Sequence, residues 1–333
     1  MKINFNQLDR GYLKFKDEYD KAAIETLESG WYILGSRVGH FEKEFSDYLG
    51  TKHCVGLNSG LDALILAIRA LGIGQGDEVI VPANTYIASI LGITENGATP
   101  VFVEPDEYYN LDALKIEEKI TSKTKAILVV HLYGQAADMV NIRSIADKHN
   151  LYLVEDCAQS HGACFDGKVT GTWGDIGCFS FYPTKNIGAF GDSGSIVTDN
   201  DELYEKIKML RNYGSKVKYQ NDILGVNSRM DEIQAALLSV KLKHYTELRT
   251  EREAIAYKYL KGIKNPLITL PSVREKAEHV WHLFVVKVDE QEKFQKYLID
   301  SGIVTQIHYP IPPHLSKAYS YLNYGKGDYP ITE

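Results

Sequence analysis

Long apolar runs, paired cysteines and an excess of positive charge are all missing from this sequence. No apolar stretch is long enough to cross a bilayer, and the start MKINFNQLDR lacks the apolar segment of a secretory signal. The four cysteines, Cys54, Cys157, Cys164 and Cys178, form no CxxC pair. Neither a disulfide framework nor a cysteine metal site is indicated, and free, mostly buried thiols are expected. Lys and Arg number 37 against 44 Asp and Glu, a formal charge of −7, so the chain lacks the basic surplus that neutralises phosphates on nucleic acid. None of the ten histidines has a metal-site spacing such as HExxH. No internal repeat or low-complexity linker interrupts the chain. These absences predict a cytoplasmic protein with no metal, no membrane and no nucleic-acid partner.

What is present is a regular alternation. Strand-like apolar runs at residues 53–57, 78–81, 101–103, 126–130, 151–155, 176–181 and 195–198 alternate with helical stretches such as 61–71, 140–149 and 201–211. This pattern predicts an α/β fold with a mainly parallel seven-stranded sheet and helices on both faces. Further helices are expected at 17–29 and 38–49, each stopped by a glycine, and at 230–248, 250–262 and 290–301. Residues 280–288 read as another strand. The 333 residues allow about two domains. Trp31 and Tyr32, in a loop between helices, could line a substrate mouth, with packing the default for either one alone.

The chemistry gathers at strand ends. The run GCFSFYPTKN, residues 177–186, is a buried strand that meets Pro183 and delivers Lys185 into a glycine-rich segment. A lysine on a surface loop is the ordinary reading. The alternative is an amine kept partly neutral by desolvation, able to attack a carbonyl and form a Schiff base. Asp156 ends the strand before it, at the edge where open α/β sheets bind ligands. An aspartate there is often only a helix cap. Together, a lysine and a strand-end acid match what pyridoxal phosphate needs: an amine for its aldehyde and a carboxylate for its ring nitrogen. The turn Asn58-Ser59-Gly60-Leu61 joins a strand to a helix start, where free N–H groups and the helix dipole favour a phosphate. His131, Tyr133 and Gly134 also follow a strand end and read as a structural loop.

VEDCAQSHGA at 154–163 and FSFYPTKNIGAFGDSG at 179–194 closely resemble the DegT/StrS family of pyridoxal-phosphate-dependent nucleotide-sugar aminotransferases. The resemblance covers essentially the whole chain. It implies the fold-type I architecture, with a large cofactor-binding domain at 1–240, including an N-terminal helical segment, and a smaller α/β domain at 241–333. Family members normally run further than Glu333, so the resemblance implies a small domain without its closing helix. It implies that Lys185 holds the cofactor aldehyde and acts as general base, and that Asp156 keeps the pyridine protonated, with His161 supporting it. Gly60 and Leu61 would hold the phosphate, with leucine where many members have threonine. Tyr86 would stack on the ring, Gln159 reach the phenolic oxygen, and Ser180 donate to the phosphate.

The resemblance also implies a homodimer with shared active sites, because Asn227 would reach the cofactor phosphate of the partner subunit. Tyr182, Tyr219, His308 and Tyr309 would contact the substrate, Tyr219 across the dimer. The substrates implied are a nucleotide-linked ketosugar and glutamate. The run 307–315 is similar to the loop of enzymes acting at C-3 of dTDP-linked 6-deoxy-ketohexoses. Amination at C-4 stays open, as do a sugar dehydratase, in which a histidine replaces the lysine, and a non-catalytic sensor on the same fold.

Overall fold

Segments such as VIVP and AILVV are apolar at every position, and strands of that kind need cover on both faces. In the computed structural model, which describes residues 2–333, they lie at the centre of a seven-stranded sheet. Its strands are β1 (His53–Leu57), β2 (Glu78–Pro82), β3 (Thr99–Val103), β4 (Thr124–Val130), β5 (Tyr152–Asp156), β6 (Ile176–Ser180) and β7 (Gly194–Thr198). Their spatial order is β1-β7-β6-β5-β4-β2-β3. Only β7 runs against its neighbours; β6, β5, β4, β2 and β3 pair in parallel. The carboxyl ends of β4, β5 and β6 therefore open on one edge.

The helices are α1 (Leu8–Lys14), α2 (Lys16–Glu28), α3 (Ser36–Leu49), α4 (Gly60–Ala70), α5 (Ile87–Thr94), α6 (Met139–His149), α7 (Asp201–Leu210), α8 (Glu232–Lys243), α9 (Tyr245–Gly262) and α10 (Gln291–Asp300). Side chains alternate across each strand, so β4 sends Ala126, Leu128 and Val130 to one core and Ile127 and Val129 to another. The first core holds α4, α5 and α7; the second holds α6. A third core packs Phe41 and Phe45 of α3 against Phe179 and Phe181. Three of those ring pairs meet edge to face at 5.0–5.4 Å, worth ~0.5–1.5 kcal/mol each beyond burial. Buried Glu232 of α8 caps α3: its carboxylate accepts from the N–H groups of Gly35, Arg37 and Val38 at 2.7–3.0 Å. Tyr319 and Tyr329 fold back onto the first core, and Glu104 accepts from the Ile331 and Thr332 N–H groups.

Two expectations from sequence are corrected. Residues 280–288 form no strand; only Lys287 bridges, to Thr269. Side chains, rather than a neighbouring strand, take the carbonyls there, and the Val280 and Leu283 N–H groups go to the loop carbonyls of Gly134 and Tyr133. Asn186 donates to the Val280 carbonyl, Arg252 to those of Trp281 and His282, and Trp281 sits at φ +50°. A strand cannot pass through a left-handed tryptophan. The long helices break at His244 rather than near residue 249, where the His244 ring stacks on Phe15 at 3.9 Å.

Candidate active site

Lys185 sits on a turn bound to itself. Its N–H donates to the Tyr182 carbonyl at 2.8 Å, and Ala189 N–H donates to Phe181 O at 2.8 Å. A Cβ on Gly188 would stand 2.3 Å from the Pro183 carbonyl oxygen, so this turn closes only around glycine. Next to the lysine, buried Asn186 donates from Nδ2 to Val280 O at 2.9 Å and meets His282 Nδ1 through Oδ1 at 3.1 Å. The amine has no carboxylate within 4.0 Å among the described residues. Burial lowers its pKa to about 8, against a smaller upward pull from Asp156.

Asp156 is the last residue of β5 and is buried. Its Oδ1 accepts from Ala158 N–H at 3.1 Å and its Oδ2 from Ser89 Oγ at 2.8 Å. Ser89 lies 2.7 Å from Thr85 Oγ1. A serine has one hydroxyl proton, and when Ser89 donates it to the carboxylate, Thr85 must donate to Ser89. Burial raises the Asp156 pKa; the Ser89 and Ala158 bonds and the charge of Lys185 pull it back. Ser89 carries no motif, and only the docking of α5 against β5 brings it here. His161, expected beside Asp156, is elsewhere. Its ring lies 5.6 Å from both Phe179 and Phe181, its nitrogens have no partner among the described residues, and burial drives its pKa to about 3. Deeper still, Glu155 accepts from Gly171, Trp173 and Gly174 N–H and bonds His131 at 2.9 Å. With Cys157 these two could geometrically hold a metal, but the carboxylate is already saturated by donors.

The third component is the start of α4. Ser59 caps it by accepting from Asp62 N–H at 3.0 Å, which leaves the Gly60 and Leu61 N–H groups at an open helix end. Bare backbone is needed on both sides. A Cβ on Gly60 would lie 2.5 Å from Ser180 Cβ, and one on Gly194 2.4 Å from the Ser59 carbonyl. Ser180 Oγ accepts a 3.3 Å bond from Tyr182 N–H, so its own proton remains to give.

Gly60, Leu61, Tyr86, Asp156, Gln159, Ser180, Tyr182, Lys185, His308 and Tyr309 all line one cleft of about 2790 Å³. Gln159 is fixed at both ends, accepting from Tyr133 N–H at 2.7 Å and donating to Tyr309 Oη at 2.9 Å. One amide proton is left over. Tyr86, 54% exposed, faces the Tyr309 ring at 5.2 Å. His308 stacks on Phe5 at 5.8 Å, and its carbonyl accepts from Tyr133 Oη at 2.6 Å. Tyr219 and Asn227 do not line this cleft. Tyr219 is 86% exposed at a hairpin tip, and Asn227 pairs with Asn212 in an isolated bridge.

The arrangement fits a flat cofactor with a phosphate at one end and a basic ring nitrogen at the other. An open helix end, a cradle that tolerates no Cβ and a buried acid with hydrogen-bond capacity to spare meet around a depressed lysine. Fold and site together define a pyridoxal-phosphate-dependent aminotransferase. The profile of the DegT/DnrJ/EryC1/StrS aminotransferase family matches residues 14–333, and the chain belongs to that family. It is 57% identical, over 99% of its length and 91% of the relative's, to dTDP-3-amino-3,6-dideoxy-alpha-D-galactopyranose transaminase of Aneurinibacillus thermoaerophilus. The crystal structure of S. venezuelae DesV matches with a TM-score of 0.97 at 47% identity, covering 99% of this chain and 90% of that one. The crystal structure of Bacillus subtilis NtdA with bound cofactor PMP matches at 0.89 and 34%, covering 98% and 76%.

Proposed function

We propose that this enzyme transfers an amino group from glutamate to C-3 of a dTDP-linked 3-keto-6-deoxyhexose. The observation that carries the chemistry is a lysine amine depressed to about 8, within the field of a buried aspartate, beside an open helix end. The C-3 and dTDP assignments are supported by the printed activity of the Aneurinibacillus relative and of a 48% identical Streptomyces venezuelae dTDP-3-amino-3,4,6-trideoxy-alpha-D-glucose transaminase.

Bound pyridoxal phosphate supplies an aldehyde that carries the amino group and a ring that withdraws electrons from the bond being broken. The residues do the rest. Asp156 holds a proton at the ring nitrogen, and Ser89 and Ala158 N–H fix the direction of its carboxylate. Gly60 and Leu61 N–H, with the Ser180 hydroxyl, bind the phosphate. Leu61 offers no hydroxyl, so it contributes through its backbone alone. Tyr86 covers the ring face, and the free Gln159 amide proton meets the phenolic oxygen. Lys185 takes the proton from the donor α-carbon as a general base; an amine near pH 8 is partly neutral at working pH and can do so. Tyr182, His308 and Tyr309 receive the sugar. Asn227 and Tyr219 serve the neighbouring subunit of a homodimer. The nucleotide, remote from the reacting carbon, supplies binding energy for positioning.

The test supplies glutamate with a panel of 3-keto and 4-keto dTDP- and UDP-sugars and follows 2-oxoglutarate. Turnover confined to 3-keto dTDP-sugars is expected. Turnover of the 4-keto sugars alone would overturn the C-3 assignment. Lys185→Ala should abolish turnover in every combination.

A further inference from the structure

Two basic side chains on α8 and α9 stand without acidic partners among the described residues. Lys241 and Arg252 both line the cleft. Their neighbours are paired: Lys243 with Glu18, and Arg249 with Glu253 and Glu278. Among the described residues, neither Lys241 nor Arg252 has a carboxylate within 4.0 Å. Burial pushes both pKa values down, and the charge of Arg252 pushes that of Lys241 down further. Arg252 donates from Nη1 to the Trp281 and His282 carbonyls, both at 3.3 Å. Lys241 Nζ lies 3.6 Å from where a Cβ on Gly11 would stand, so α1 screens it from bulk water.

Two desolvated cations in each other's field are unfavourable until an anion joins them. Their place in the cleft suggests which anion. His282, whose carbonyl Arg252 holds, meets through its ring the Oδ1 of Asn186, the residue next to Lys185, at 3.1 Å. One histidine thus links Arg252 to the turn that carries the reactive amine. An amino donor must bring its α-carbon to that amine, and its side-chain carboxylate then lies a few bonds further into the same cleft, which Lys185, Lys241 and Arg252 all line. The residues expected to receive the sugar nucleotide, Tyr182, Tyr219, His308 and Tyr309, lie on neither α8 nor α9.

We propose that Lys241 and Arg252 form an oxyanion site that takes the distal carboxylate of the amino donor and thereby selects an acidic amino acid. The inference rests on the aminotransferase reading above. A diphosphate shares this oxyanion chemistry, and the test separates the two sources.

Holoenzyme is titrated calorimetrically with glutarate, butyrate and dTDP. Wild type should bind glutarate roughly tenfold or more tightly than butyrate. Lys241→Met and Arg252→Met should each weaken glutarate by a similar factor and leave dTDP within about twofold. Without ligand, Lys241→Met should melt at or above the wild-type temperature, since it removes an uncompensated charge; a lysine with a merely structural role would lower it. That variant keeps the test decisive if Arg252→Met does not fold. Unchanged glutarate affinity in Lys241→Met overturns the site, and loss of dTDP binding equal to or greater than that of glutarate assigns the pair to the diphosphate and overturns the donor assignment. The aminotransferase reading is scored separately, by the change in cofactor absorbance when amino acids are added to wild type. No response to any amino acid overturns that reading, whereas a response with unaltered glutarate binding in the variants overturns only the site.

Discussion

Lys185 carries a burden in the cofactor-free protein that can be measured. Burial holds its folded pKa at about 8, against 10.5 for an ordinary lysine. Between those values the unfolded chain holds a proton that the folded chain has released. Stability therefore rises with pH across that window, and the penalty is fully present below about pH 8. In Lys185→Met this contribution is gone. Denaturant titrations of the cofactor-free proteins should show wild type gaining about 3 kcal/mol relative to the variant from pH 8 to 10.5; parallel curves would mean an amine in water. Ser89 gives a second prediction at this scale. Its 2.8 Å bond is the only side-chain hydrogen bond that Asp156 accepts among the described residues. A hydrogen bond to a charged group is worth ~1.5–3 kcal/mol. Ser89→Ala should lower kcat by roughly tenfold to a hundredfold, with KM for the sugar little changed, as read by steady-state kinetics.

Among the elements, the first turn of α4 has no room for an added carbon. Gly60→Ala would place a Cβ 2.5 Å from Ser180 Cβ and 3.0 Å from its backbone Cα. Backbone cannot yield as a flexible side chain would, so α4 and β6 must part at the site expected to hold the phosphate. The purified variant should retain little cofactor by absorbance and keep its circular dichroism. Elements of this kind were legible in the sequence, because a buried parallel strand and a capped helix each write a local pattern. All seven strands of the sheet lie where the apolar runs put them, and the lysine and strand-end acid announce themselves by position. Other features have no local signature. Ser89 is one serine in an apolar helix until α5 docks on β5. The apolar pattern at 280–288 was strand-like, yet what decides its shape is Asn186 and Arg252, remote in sequence and able to satisfy its carbonyls. His161 stands in the same motif as Asp156, but the turn after β5 aims it at phenylalanines instead.

For the molecule as a whole, Tyr219 and Asn227 lie outside the cleft they are expected to serve, and a second subunit would resolve this. Mixing Lys185→Ala with Asn227→Ala tests it. In a mixed dimer, one site keeps its own lysine and borrows an intact asparagine. Equal mixtures, after exchange, should recover about a quarter of wild-type activity, although neither parent is active alone. Absence of recovery in mixed dimers isolated by dual tags would place Asn227 in its own subunit's site. The side-chain grip on 280–283 also bears on engineering. Asn186 stands next to the reactive lysine and holds the Val280 carbonyl, while the Gly134 and Tyr133 carbonyls accept from the Val280 and Leu283 N–H groups. A chimera that imported a C-terminal region from another sugar aminotransferase, joined ahead of residue 280, would exchange the surface against which the lysine turn is braced. A graft meant to alter regiochemistry is better spliced after Leu283, so that the recipient keeps its own brace.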